Sequence, residues 1–226
     1  MNLHVIYEDN HVIVVEKPYN IPSQSDETGD IDMLTLVKQY LKEKYQKPGE
    51  VFLGLVHRLD RPVGGIMVFA RTSKAASRLS EAIRTHQFSK TYLAVVSGTV
   101  EPKQGRLENY LLKDQALNKS AVVSKDKHGA KLASLTYEVI AEKQEFSLVK
   151  ILLETGRHHQ IRVQFANIGH PLYGDQKYGK DGHHQQIALW AYQIQFKHPV
   201  KEDMMTFSCM PPKKEGFSLF LPMDIQ

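Results

Sequence analysis

One cysteine, Cys209, and one tryptophan, Trp190, stand in a chain of 226 residues. A single thiol excludes an internal disulfide framework and any zinc centre built on cysteines, and it favours a reducing, cytoplasmic setting. No apolar run approaches the roughly 20 residues that span a bilayer, so no membrane partner is expected. Met1-Asn2-Leu3-His4 has no basic region leading into a hydrophobic stretch, so no secretory leader is expected either. Neither glycine-rich phosphate-binding pattern of nucleotide-dependent enzymes occurs. Histidines are more plentiful, among them His57, His158, His159, His183 and His184. They lack the His-x-x-x-His spacing with a neighbouring Glu, and adjacent histidines on a helix point to different faces, so no metal is expected.

The chain has the composition of a folded protein, with 42% hydrophobic and 24% charged residues. Its net charge of +4 is small, but the distribution is uneven. Between His57 and Tyr92 seven basic residues (Arg58, Arg61, Arg71, Lys74, Arg78, Arg84, Lys90) face two acidic ones, Asp60 and Glu81, a local +5. Between Lys103 and Lys131 seven basic residues face three acidic ones, Glu108, Asp114 and Asp126. Two such clusters suit either a polyphosphate partner or solvated faces.

Periodicity and turn residues set the order of elements. Leu3 to Tyr7 and His11 to Glu16 read as strands joined across Asp9-Asn10. Asp32 is placed to cap a helix bearing Met33, Leu36, Val37, Tyr40 and Leu41, stopped by Pro48-Gly49. Ser73 is placed to cap a second, with Ala76, Leu79 and Ile83 inward and Lys74, Arg78 and Arg84 outward. A strand follows from Tyr92 to Ser97, then short strands and a hairpin within the second basic stretch. Ala133 to Ala141 and Phe146 to Glu154 form an antiparallel pair. Thr155-Gly156-Arg157 leads into a short helix with Ile161, Phe165 and Ile168 on one side. The tail runs through Leu189-Trp190-Ala191 to a strand near Met205–Cys209. Without repeats or linkers, this is an α+β chain, a single domain over residues 1–226 with a mixed, mostly antiparallel sheet flanked by helices and loops.

The chemistry is placed in Gly54-Leu55-Val56-His57-Arg58-Leu59-Asp60-Arg61-Pro62-Val63-Gly64-Gly65-Ile66-Met67-Val68-Phe69-Ala70. Two apolar runs read as buried strands around a turn that holds Asp60 between Arg58 and Arg61. Positive neighbours favour the carboxylate form. Such an anion suits a nucleophile or an anchor for a larger group.

Three blocks together resemble the RluA-type pseudouridine synthases. They are the Asp60 loop, Lys90-Thr91-Tyr92, and Gly156-Arg157-His158-His159-Gln160-Ile161-Arg162 with its sequel Gly169-His170-Pro171-Leu172-Tyr173-Gly174-Asp175. The likeness runs from Tyr7-Glu8-Asp9 and Val14-Val15-Glu16-Lys17-Pro18 to Phe196-Lys197-His198-Pro199. It implies the pseudouridine synthase fold and isomerisation of uridine in ribosomal or transfer RNA, without cofactor. The C1′–N1 bond breaks, the base turns, and C1′ is rejoined through C5. By the same resemblance Asp60 is the essential carboxylate, attacking C1′ or abstracting a sugar proton. Tyr92 stacks on the uracil, and Arg162 ion-pairs with Asp60. Arg58 enters the RNA where the base is displaced, and His57, Arg61, Lys90 and Arg157 complete the substrate-binding set. A monomer is expected, without the S4-like module of many relatives.

Five positions depart from the family pattern: Val63-Gly64 where Thr-Ser is usual, His158 for Thr, Gln164 for His and Trp190 for His. An RNA-binding relative that has lost catalysis is therefore the alternative. A glycosidase would require a second carboxylate near Asp60, and neither neighbouring block offers one.

Overall fold

A computed structural model describes residues 3–179 and 185–220. The chain divides into two compact units, Met1–Lys90 with Ala191–Met210, and Thr91–Trp190 with Pro211–Gln226.

The first unit opens on the expected hairpin, β1 (His4–Glu8) and β2 (Val12–Lys17). Asp9 makes its turn, with Oδ1 accepting from the backbone N–H groups of His11 and Val12 at 2.8 and 2.9 Å. β2 pairs antiparallel with β4 (Gly64–Ala70), from Val12 opposite Ala70 to Lys17 opposite Gly65. Every residue of β4 is buried, and Val12 to Val15 are shielded completely, so β4 and the first four residues of β2 read as unbroken apolar runs. The run before the Asp60 turn forms only a two-residue strand, β3 (Gly54–Leu55), on the far end of β4.

Helix α1 (Met33–Lys44) starts at Asp32, whose carboxylate accepts from Thr35 N, and buries Met33, Val37 and Leu41. Helix α2 (Ser73–Arg84) corrects the expected start by one residue: Thr72, not Ser73, is the cap. Its buried residues are accordingly Ala75 and Leu79, while Ala76 and Ile83 are half-buried. The late strands β10 (Leu189–Lys197) and β11 (Met204–Ser208) pair antiparallel, and β10 is the neighbour of β4.

In the second unit the strand order is β5-β9-β8-β6-β7, antiparallel throughout. β5 (Phe88–Ser97) begins four residues before Tyr92. β6 (Gln104–Asp114) is a long strand where short ones were expected, because its exposed and half-buried residues alternate along a half-solvated sheet. It turns into β7 (Lys119–Val123), and β8 (Lys131–Lys143) and β9 (Phe146–Leu153) are the foreseen pair. Helix α3 (Gln160–Asn167) packs on β6 and β7, with Val163 in a cluster with Leu111 and Ala133. A 3-10 turn, Glu215–Leu219, was not foreseen. The class is α+β with mostly antiparallel pairing, as expected. No described helix is long and apolar enough to cross a membrane.

Candidate active site

Asp60, half-buried, begins a turn closed by Val63 N donating to Asp60 O at 3.0 Å. Two buried side chains clamp that turn. Ser23 Oγ donates to Leu59 O at 2.7 Å and accepts from Leu59 N at 3.0 Å. Lys17, fully shielded, donates from Nζ to Pro18 O and Arg61 O at 3.0 Å each and to Val63 O at 2.6 Å. Burial pushes the Lys17 ammonium down to about 7, against the Asp60 charge, which raises it, while Arg61 lowers it. The carbonyl at position 63 and the amide at 63 thus hold the loop by backbone, where the family pattern would offer a hydroxyl. Lys17 and Ser23 were not foreseen as site residues; the signal at Lys17 is a lysine in the last position of a strand that opens on four apolar residues.

The neighbours of Asp60 divide by what they touch. Arg58 is exposed. Arg61 is engaged by the acidic loop before α1, with NH1 donating to Thr28 Oγ1 at 2.9 Å and lying 3.6 Å from Asp26, and NH2 pairing with Asp30. His57 turns inward: Nε2 accepts from Val68 N at 3.1 Å, and Nδ1 is buried with no hydrogen-bond partner. Burial and the nearby Lys90 push its imidazolium down to about 3, so the ring is neutral and braces β4. Lys90 is itself lowered by burial.

Tyr92, 7% exposed, lies on β5 opposite Ile151 of β9. Arg162 is in the first turn of α3 and 4% exposed. The residue before that helix, His159, has a left-handed backbone (φ 54°) and no side-chain cap. Arg162 forms a bidentate pair with Asp175, Nε to Oδ2 at 2.8 Å and NH2 to Oδ1 at 2.7 Å. The planar fork matches the carboxylate, and both charges are removed from water. Asp175 closes the motif that begins at Gly169, where a lone Asp after Gly174 looks like any turn residue. Arg157 is exposed and donates from Nε to Leu132 O at 2.8 Å.

The remaining departures are bonded in part, the buried Gln164 Oε1 having no hydrogen-bond partner. Gln164 is buried, with Nε2 donating to Leu107 O at 3.1 Å and Asn109 Oδ1 at 2.8 Å. His158 meets Ser120 Oγ at 2.9 Å and Asn118 Oδ1 at 3.1 Å. Trp190 is buried on β10. Among the described residues no group of three or more His, Cys, Asp or Glu is disposed to hold a metal; His183 and His184 lie outside those residues.

The model of a family described as RNA pseudouridylate synthase matches residues 11–167. An uncharacterized RNA pseudouridine synthase of Bacillus subtilis is 33% identical over 207 residues, 90% of this chain and 67% of that protein. A ribosomal large subunit pseudouridine synthase D of Zymomonas mobilis is 32% identical over 226 aligned positions, 93% of this chain and 70% of its own length. The solved structure of human RNA pseudouridylate synthase domain containing 4 has the same fold, with a TM-score of 0.79 at 23% identity over 93% of this chain and 89% of that one. A match of that extent, on relatives spanned for two thirds or more of their length, places the chain among the RNA pseudouridine synthases, which are isomerases.

Proposed function

We propose that the chain converts a uridine of large-subunit ribosomal RNA to pseudouridine, with Asp60 as the carboxylate that acts on the ribose. The observation that carries this reading is the clamped turn. A half-buried carboxylate sits on a loop whose backbone is pinned at Leu59, Arg61 and Val63 by two buried side chains. Such pinning fixes the direction of a reacting group at little entropic cost during turnover.

The glycosidic carbon gains positive character as its bond to N1 opens, and an anion at the sugar stabilises that state. The base turns, C1′ bonds to C5, the C5 proton leaves, and N1 regains a proton, so the product is an isomer. Tyr92 serves as the surface on which the uracil stacks, and Arg162 as the cationic partner of Asp60. The target base must first leave its stack, at a cost of a few kcal/mol. Arg58, exposed beside Asp60, is assigned to the gap left in the RNA. The names of relatives such as the Zymomonas mobilis protein support ribosomal over transfer RNA as the target.

The test is Asp60→Asn with a large-subunit RNA transcript tritiated at uridine C5. Tritium release should vanish while RNA binding persists. Retained release would remove Asp60 from the reaction. A wild-type chain that binds the transcript but releases no tritium in a single turnover would point to a binding relative or to another RNA; total RNA from a strain deleted for this protein separates those two.

A further inference from the structure

Around α3, side chains outside the proposed chemistry join into one run. The Arg162 guanidinium carbon lies 5.4 Å from the centroid of the Tyr178 ring. Asp175, which grips that guanidinium, also accepts the backbone N–H groups of Lys177 and Tyr178 at 2.9 and 3.2 Å. One carboxylate therefore fixes both the cation and the backbone that carries the ring. The Tyr178 hydroxyl accepts from Ser120 N at 2.7 Å and lies 2.8 Å from His159 Nδ1. The hydroxyl thus joins the Ser120 amide to the His159 ring. Burial and the Arg162 charge keep that ring neutral, holding its imidazolium down to about 2.

The run continues into the β6–β7 hairpin. The His159 ring stacks on His158 at 3.7 Å. His158 bonds Ser120 Oγ on β7 and Asn118 Oδ1 in the hairpin turn, and Lys177 Nζ donates to Asn118 O at 2.6 Å. A threonine at position 158 would have one short hydroxyl and could neither stack on His159 nor bridge both partners.

We infer that Tyr178 is a positioning residue for Arg162, and that His159, Ser120 and His158 link the guanidinium's placement to the β6–β7 hairpin. The inference rests on the reading that Arg162 serves Asp60. A carboxylate pair holds the guanidinium along one edge, and the aromatic face restrains the tilt that the pair leaves open. Contact between the hairpin and RNA would then steady the Arg162 guanidinium.

The experiment is steady-state tritium release from the C5-tritiated large-subunit transcript, for Tyr178→Phe, Tyr178→Leu, His158→Thr, and Tyr178→Phe with His158→Thr. Tyr178→Phe keeps the ring and loses the hydroxyl, so kcat should fall about three- to tenfold with KM changed by less than about twofold. Tyr178→Leu, which also loses the ring, should lower kcat by roughly a hundredfold. The double variant should be no worse than about twice the weaker single, since both changes cut the same run. Thermal melting accompanies each assay; should the Leu variant fail to fold, the Phe variant and the double-mutant comparison decide. An unchanged kcat, a loss confined to KM, or losses that multiply in the double variant would overturn the inference. Arg162→Lys separates the layers. If it retains full kcat, the role of Arg162 itself falls; if it is inactive while Tyr178→Phe matches wild type, only the positioning role falls.

Discussion

Lys17 couples the ionisation of a buried amine to the turn that carries Asp60. Its folded value of about 7 lies below the ordinary 10.5 because burial penalises the ammonium. Between those values the unfolded chain binds the proton and the folded chain does not, so folding stability rises with pH across that window. Replacement by methionine deletes this contribution and the three carbonyl bonds. The stability of the native protein relative to Lys17→Met should therefore climb by about 1.4 kcal/mol per pH unit crossed between 7 and 10.5. Urea unfolding of both proteins at pH 6.5, 8 and 9.5 measures it, and a difference that stays flat contradicts the buried amine. Asp175 poses the opposite case, a pair of opposite charges with side chains 0% and 5% exposed. Asp175→Asn takes the negative charge out of this pair, and breaking a buried pair costs about 3–5 kcal/mol. Calorimetric melting should show that loss, with turnover falling alongside. The sequence singles out Asp60 and Arg162 as candidates because each stands in a distinctive string. Lys17, Ser23 and Asp175 escaped notice because their partners are backbone atoms or a residue thirteen positions away, which only the fold reveals.

At the scale of elements, β4 shows how one glycine permits the sheet. Gly65 has φ +120°, and a Cβ there would overlap the backbone O and N of Ala191 on β10. Gly65→Ala therefore meets both a strained backbone and a collision with another main chain, neither of which a side-chain rotation can relieve. A loss of about 3 kcal/mol or more is expected, read as a lower thermal midpoint; a midpoint within a degree of the native one contradicts the close approach. The elements that periodicity placed well are those whose burial is continuous or one-sided: β2, β4, α1 and the β8–β9 pair. Those it misplaced depend on tertiary pairing. The run before Asp60 is apolar enough for a full strand, yet His57 turns its ring onto β4 and takes the Val68 amide, which ends the ladder after two residues. The start of α3 rests on a left-handed histidine, a conformation with no cue in the local sequence.

Across the whole molecule, the two basic stretches that look alike in the sequence differ in what surrounds them. In the first, Arg61 is engaged by Asp26 and Asp30, Arg71 by Glu8 and Arg84 by Glu81, Arg78 donates to Pro199 O and Lys90 is half-buried, which leaves Arg58 and Lys74 exposed outside any ion pair among the described residues. In the second, Lys103 and Arg106 are met by glutamates, but Lys113, Lys119, Lys125, Lys127 and Lys131 are exposed and enter no ion pair among the described residues. A cation already balanced by a carboxylate releases few counterions from RNA, whereas an unbalanced exposed lysine releases nearly one per phosphate it meets. The salt dependence of binding should thus come mainly from β6, β7 and the following turn. Replacing Lys113, Lys119, Lys125 and Lys127 by glutamine should flatten the plot of log Kd against log salt by about 0.7 for each lysine that touches a phosphate. Arg84→Gln with Arg106→Gln should barely alter it. Equal flattening by the two sets would mean that the carboxylates around the arginines yield to RNA, and that charge counted along the sequence, without its partners, was the better guide.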